Sequence, residues 1–487
     1  MKKTYKISRE PEILKPDLCV IGAGSAGLSV ASIAASFGAS VVLVEKHRMG
    51  GECLNVGCVP SKALLAAAHR AQRVRDAARL GIGTGEGPVI DFGRVRRHVR
   101  DVVSAIAPMD SAERYRAMGV QVIKAEASFT DARTVAADGK VIKARRFVVA
   151  SGSRPAIPTI PGLDQVPYLT NDTIFDLEER PEHLIVIGGG AVGVELAQAY
   201  RRLGSEVTIV EAGERLLGRE DPEMAAVIAR ALRREGAVLK LGLSVERVEP
   251  RDDGRVAVVL AGGERAIEGS HLLVAAGRQA TLEGLNLKAA GIRADSTGIL
   301  VGRNLKTSNR KVYAIGDCVG GEETSGRFTH VANHQAGLVI RNALFGLPAT
   351  PSEAIPRVVY TDPELAAVGL DEEAARAAGR PFRILRWAFA DNDRARAEGT
   401  TQGHVKAIVT PRGRILGCTI VGPGAGELIM PWVMAVSRGL KASDLAGLVY
   451  PYPTLSEATR SAAVEFLKPA TQNPWLRRLI GLVRRLG

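Results

Sequence analysis

A repeat constrains this 487-residue chain more than any other feature. An apolar stretch at 17–21 runs into Gly22-x-Gly24-x-x-Gly27, an alanine-rich segment, and a second apolar stretch at 41–44 that ends in Glu45. The same succession returns at 184–187, Gly188-x-Gly190-x-x-Gly193 and 207–210, ending in Glu211. From first glycine to acid the offset is 23 residues both times (45 − 22 and 211 − 188). Strand, glycine turn, helix, strand and terminal acid together predict a dinucleotide-binding unit. The first glycine permits the tight turn, the second lets the backbone approach a pyrophosphate, and the third allows close helix–strand packing. The carboxylate accepts hydrogen bonds from a ribose. Two copies predict two such domains.

One short helix after the first repeat comes Gly50-Gly51-Glu52-Cys53-Leu54-Asn55-Val56-Gly57-Cys58-Val59-Pro60-Ser61-Lys62. Two cysteines four residues apart, framed by glycines and a Pro-Ser-Lys tail beside a dinucleotide site, predict a redox dithiol. A thiolate nucleophile needs a lowered pKa, which a helix N-terminus and nearby cations supply. Pro60 suits a first helical turn, where its missing N–H has no partner anyway. Cys19, Cys318 and Cys418 stand alone and read as packing residues. Five cysteines in so long a chain do not make a secreted disulfide framework.

A chain of this length exceeds one hydrophobic core. Further apolar runs close in small residues at 148–155, 272–278 and 312–317, and from about residue 352 the pattern changes to strands and amphipathic helices without nucleotide glycines. Net charge is +13 and the sequence pI about 9.7. The arginines are scattered and aromatics are only 4%, so stacking platforms for nucleic acid are lacking, and the charge reads as a solvated surface around anionic dinucleotides. No apolar run reaches the roughly eighteen residues of a membrane span. The start turns polar at once (Ser8-Arg9-Glu10-Pro11), unlike a signal peptide.

On these motifs together the chain resembles, over nearly its full length, the class I pyridine nucleotide–disulfide oxidoreductases. That family includes dihydrolipoamide dehydrogenase, glutathione reductase and mercuric reductase. The resemblance implies an α/β architecture of two Rossmann-like domains, for FAD and NAD(P), with a C-terminal α+β dimerisation domain. The corresponding boundaries are 1–152 and 278–350 for the two parts of the FAD domain, 153–277 for the NAD(P) domain, 351–470 for the interface domain and 471–487 for a tail. It implies FAD against Gly22, Gly24, Gly27, Glu45, Gly51, Lys62, Ser151, Gly152, Gly316, Asp317 and His330. The helix that His330 opens would face the flavin pyrimidine, the imidazole itself being structural. The nicotinamide cofactor would lie against Gly188, Gly190, Gly193, Glu211 and Gly277. By family position Cys58 is the flavin-side thiol and Cys53 the interchange thiol, while Lys62 and Glu195 form an ion pair that tunes the flavin. A homodimer follows, each C-terminal domain completing the other subunit's active site. Glu211 would bond a ribose 2′-OH and repel a 2′-phosphate, favouring NAD(H) over NADP(H), with Arg215 nearby in sequence as a counterweight.

The chain departs from the lipoamide and glutathione enzymes near its end. They carry His-Pro-Thr-x-x-Glu, the histidine as general acid/base and the glutamate orienting it. Here the segment is Tyr452-Pro453-Thr454-Leu455-Ser456-Glu457. A phenol titrates near pH 10, about three units too high for a base at neutrality. Mercuric reductase also has a tyrosine there, where it helps coordinate a thiolate-bound metal ion, and the segments 219–223 and 393–399 are similar to that branch. Its C-terminal cysteine pair has no counterpart in Leu482-Val483-Arg484-Arg485-Leu486-Gly487, and no N-terminal metal-binding domain is read. The resemblance thus implies a cytoplasmic, FAD-dependent NAD(P)H oxidoreductase passing electrons through Cys53–Cys58 to a thiol-reactive small molecule, most like mercuric reductase and without a resident metal. Three alternatives stand beside it: a dihydrolipoamide dehydrogenase-type enzyme, a membrane-associated quinone reductase, and a non-catalytic flavoprotein docking module. The last has no use for an intact cysteine pair. In the tail, Leu476, Leu479, Ile480 and Val483 share a helical face flanked by arginines, and Gly481 weakens the helix. Such a segment lies on the anionic inner face of a membrane or packs on its own dimer.

Overall fold

The structure, a computed structural model, describes residues 11–485 except 84, 86, 322–325 and 353. The polar opening residues and the last two of the tail, Leu486 and Gly487, lie outside the described residues.

Each sequence repeat builds the same parallel sheet. The first orders its strands Val312–Ala314, Arg146–Val149, Leu18–Ile21, Val41–Glu45, Gln121–Lys124. The second orders them His271–Val274, His183–Ile187, Glu206–Glu211, Val238–Leu241. The central strands are mostly apolar, Leu18–Ile21 without a break, because both faces of each sheet are covered. In the first fold the helices Ser25–Ser36 and Thr329–Ala343 seal one face, and Phe129, Val135 and Ile142 of a small sheet seal the other. In the second, helices Ala191–Arg202 and Pro222–Arg234 cover one face, and Val248, Val256 and Val258 of an antiparallel meander cover the other. Cys19 and Cys318 are fully buried in the first core and Cys418 in the third, where burial pushes their thiols up.

The chain crosses between the two folds on Ser153–Pro155 and returns on Arg278–Ala280, and these two strands pair as an antiparallel ribbon. The helix Cys58–Asp76 leaves the first fold, yet Ala63, Leu64, Leu65 and Ala68 pack in the core of the second. That helix therefore holds the thiols where the two folds meet. A third unit is an antiparallel sheet ordered Arg357–Val359, Glu364–Gly369, Ile415–Gly422, His404–Val409, Arg383–Ala388, with its core around Trp432 and Phe389.

Candidate active site

The two glycine loops repeat each other bond for bond. Gly22 and Gly188 have φ of +103° and +113°, and a Cβ on either would run into the backbone of Ala150 or Ala275. A Cβ on Gly27 or Gly193 would strike the carbonyl of Gly22 or Gly188, which keeps each helix tight against its strand. Gly190 leaves open space before the helix Ala191–Arg202, and a Cβ on Gly24, before the helix Ser25–Ser36, would meet only Gly51 Cα at 3.8 Å. Neither helix has a side-chain cap or an acid in its first turn, so their leading N–H groups are available to an anion. Glu45 accepts hydrogen bonds from Ala23 N and His47 N, both at 2.6 Å. Glu211 accepts from Gly189 N at 2.6 Å and Gly213 N at 2.7 Å. Each acid thus clasps its own glycine loop, with a second lone pair left on each oxygen. Arg215 turns to Gly218 O and Glu373 instead of this loop.

A cavity of 1440 Å³ runs from Glu45 past Gly22, Gly24 and Gly51 to Cys53 and Cys58, then on to Ala191 and Val192 at the head of the second helix. Through the thiols it joins the first glycine site to the head of the helix Ala191–Arg202, while Gly188, Gly190, Gly193 and Glu211 do not line it. Cys53 sits in the short helix Gly51–Asn55, and Cys58 opens the helix Cys58–Asp76. The Cys53 thiol bonds Cys58, which lowers Cys58 to about 6. Burial opposes this, while Thr329 Oγ1 at 3.6 Å from the sulfur and the Lys62 ammonium assist. The same bond drives Cys53 far up, so one proton is held between two sulfurs. The thiolate signal of the reduced protein in the ultraviolet should therefore bleach as pH falls through about 6. An ordinary thiol loses it near pH 8.5, by about two and a half units earlier on acidification. A midpoint above about 8 would dismiss the assignment.

Lys62 Nζ donates to Glu195 Oε2 at 2.8 Å, across the junction of the two folds. Glu195, 7% exposed, also accepts from Tyr360 N at 2.9 Å, and the Tyr360 ring lies 4.3 Å under the Lys62 ammonium. Ser153 Oγ donates to Asp317 at 2.6 Å, Ser151 Oγ to Thr281 O at 2.7 Å, and Gly316 N to Gln335 at 2.7 Å. Gly152, Gly316 and Asp317 all line the cavity. Gly277, at φ +127°, lies off it and accepts from Ala156 N. His330 stacks on Phe328 and donates to Pro356 O at 2.9 Å.

Sequence reading passed over Glu52 and Arg278, though both stand inside its motifs. Arg278 pairs with Glu52 and, through Ser153, reaches Asp317. Burial raises Glu52 to about 7, with Arg278 opposing and Asp317, Asp172 and Cys58 adding to the rise. A charged residue directly before Cys53 was the available signal. Thr329, next to the singled-out His330, is the residue that meets the thiol.

Tyr452 and Glu457 stand apart from this cavity within one chain. Tyr452 is 71% exposed and its hydroxyl donates to Asp393 at 3.1 Å, which raises the phenol further. Glu457 accepts from Thr454 N at 3.3 Å, bracing the loop rather than the phenol. Among the described residues, no group of three or more His, Cys, Asp or Glu is arranged to hold a metal ion.

The family described as pyridine nucleotide-disulphide oxidoreductase matches residues 16–336, and its dimerisation domain matches 355–463. A mercuric reductase of Lysinibacillus sphaericus is 36% identical over 456 residues, 93% of this chain and 83% of that protein. A dihydrolipoyl dehydrogenase of Geobacillus stearothermophilus is 35% identical over 459 residues, 92% of this chain and 96% of that protein. Among solved structures, the Cu(II) complex of the HOCl-induced flavoprotein disulfide reductase RclA from Escherichia coli superposes with a TM-score of 0.81 at 29% identity, over 91% of this chain and 98% of that one. Two fingerprints, a fused dimerisation unit and these relatives place the chain in the FAD-dependent pyridine nucleotide–disulfide oxidoreductase family.

Proposed function

We propose that this oxidoreductase works as a homodimer that uses a nicotinamide, NADH by preference, to reduce a thiophilic metal ion delivered as a thiol complex. The observation that carries the reading is Cys58: a thiol held low by Cys53, Thr329 and Lys62, in one cavity with the first glycine loop and the head of the helix Ala191–Arg202. The uncapped start of helix Ser25–Ser36 and the cradle of Gly22, Gly24 and Gly51 fit a flavin dinucleotide. Glu45 would hold its adenosine end, with Ser151, Gly152 and Asp317 along its middle. Bound there, the flavin supplies a two-electron relay between nicotinamide and dithiol. Lys62 brings a positive charge to that relay, and Glu195 and Tyr360 fix where the charge stands.

Two thiolates are the preferred donors for a soft metal ion, and the ion takes up the two electrons that the nicotinamide gave. Tyr452 of one subunit would stand beside the thiols of the other. A phenol kept protonated by Asp393 is a poor base for a dithiol substrate, which sets lipoamide chemistry behind metal chemistry. The relatives named above include a mercuric reductase and a Cu(II)-complexed reductase, a likeness that supports the same ranking. Such chemistry belongs in the cytoplasm, where thiols are kept reduced.

Anaerobic stopped flow tests the proposal. The protein is reduced with NADH or NADPH, then mixed with a Hg(II)–thiol complex, lipoamide or a quinone. Reoxidation should be fastest with the metal complex, and NADH should reduce the protein faster than NADPH. Faster reoxidation by lipoamide or by a quinone would replace the metal with that acceptor.

A further inference from the structure

The C-terminal helix Pro474–Val483 has no buried residue. Six large apolar side chains on it are exposed: Trp475, Leu476, Leu479, Ile480, Leu482 and Val483. At 3.6 residues per turn these six occupy an unbroken arc of about 160°, and Arg477, Arg478, Arg484 and Arg485 with Gly481 occupy the remaining side over about 120°. The helix is started by Asn473, whose side chain accepts from Trp475 N, and its root is tied by Arg477 Nε to Thr471 O at 2.8 Å. From residue 466 to the end the sequence has five cations, Lys468 and the four arginines, and no acid.

An apolar face of this width left outside the hydrophobic cores needs an occupant. Its chemistry selects among them. A segregated arginine side calls for negative charge along both edges of the apolar face, and a bilayer of anionic lipid presents both together. Ten residues of helix are about 15 Å long, half a hydrocarbon core, so the helix lies in the interface and does not cross. No described helix is long and apolar enough to cross a membrane. Trp475, at the first turn, has the amphipathic ring that favours the headgroup level, and arginine stems snorkel towards phosphate.

We propose that the helix Pro474–Val483 docks the holoenzyme on an anionic membrane surface, apolar face down and arginines among the lipid phosphates. Docking requires no particular acceptor, so it stands or falls separately from the metal reading above.

The test is co-sedimentation of the flavin-loaded full chain with vesicles of mixed phosphatidylglycerol and phosphatidylcholine, and with phosphatidylcholine alone. Two further proteins are compared: a chain ending at Gln472, and the full chain carrying Leu479→Glu and Ile480→Glu. The full chain should sediment with the anionic vesicles and lose binding in high salt. Each arginine near such a surface is worth about fivefold in partitioning, so neutral vesicles should bind at least tenfold less. Both altered chains should stay in the supernatant while remaining dimeric and flavin-loaded. Equal binding by all three would overturn the proposal, as would failure of the full chain to bind. A truncated chain that falls to monomer, with no vesicle binding by the parent, would assign the helix to a second copy of this chain instead.

Discussion

In the Cys58→Ser protein, nicotinamide-driven turnover of a thiol-reactive acceptor falls by three orders of magnitude or more, roughly the scale of losing a nucleophile that acts as a unit with its neighbours. Reduction of bound flavin by NADH survives, because both glycine loops and the Lys62–Glu195 pair are untouched. The thiolate signal that titrates through about 6 goes with Cys58, and what remains belongs to Cys53, a half-buried thiol that desolvation raises while Thr329 and Ser25 lower it. Cys53→Ser should be as damaging to turnover but should keep the signal. Its midpoint should move only modestly, because a serine hydroxyl can still donate to Cys58. Cys53→Ala removes that donor, the largest cause of the low value, and the midpoint should climb towards the ordinary thiol range, near pH 8.5 or about two and a half units up. Turnover by Cys58→Ser within tenfold of the parent would remove the dithiol from the reaction path.

Much of this was legible in the sequence because it rests on backbone physics. A turn at φ +103° beside a parallel strand tolerates little except glycine, so Gly22 and Gly188 advertise themselves. A strand covered on both faces reads as a near-continuous apolar run, which is why Leu18–Ile21 and 184–187 stand out. The family resemblance pointed to Lys62 and Glu195, 133 residues apart, which no local pattern links. Other parts of the site depend on tertiary placement alone. Thr329 reaches Cys58 because the helix Thr329–Ala343 packs on Ser25–Ser36, and Arg278 reaches Glu52 because the return strand pairs with Ser153–Pro155. Tyr360 slides under Lys62 from the third unit, whose sequence has no nucleotide signature. The pairing of Tyr452 with Asp393 rather than Glu457 follows from the loop's packing on residue 392, where Asn392 donates to Thr454 O.

A Lys406→Met substitution should destabilise the folded protein by about 3 kcal/mol, the low end of the cost of leaving a buried carboxylate, here Asp221, without its cation. Lys406 is 4% exposed in strand His404–Val409, and its ammonium meets Asp221 at 2.8 Å, Glu223 at 2.9 Å and Glu372 at 2.7 Å. Asp221, also buried, caps the helix Pro222–Arg234 by accepting from Glu223 N and Met224 N. One ammonium therefore fastens the third unit's sheet to the second fold through a helix N-terminus. Methionine preserves the packing volume, so the loss reports charge and not a cavity. Burial works to raise Glu223, yet Arg386 and Lys406 hold it at about 2, against an ordinary value of 4.5. In the parent that contribution is fully present above about pH 4.5 and drains away as pH falls towards 2. In Lys406→Met, Arg386 alone opposes burial at Glu223, whose pKa rises back towards the ordinary range, so that protein has less of this contribution to lose on acidification. The melting deficit between the two proteins should accordingly be largest near neutrality and narrow as pH falls below about 5. A deficit under about 0.5 kcal/mol at neutral pH, the range of ordinary surface changes, would show that Lys406 does not fasten the units.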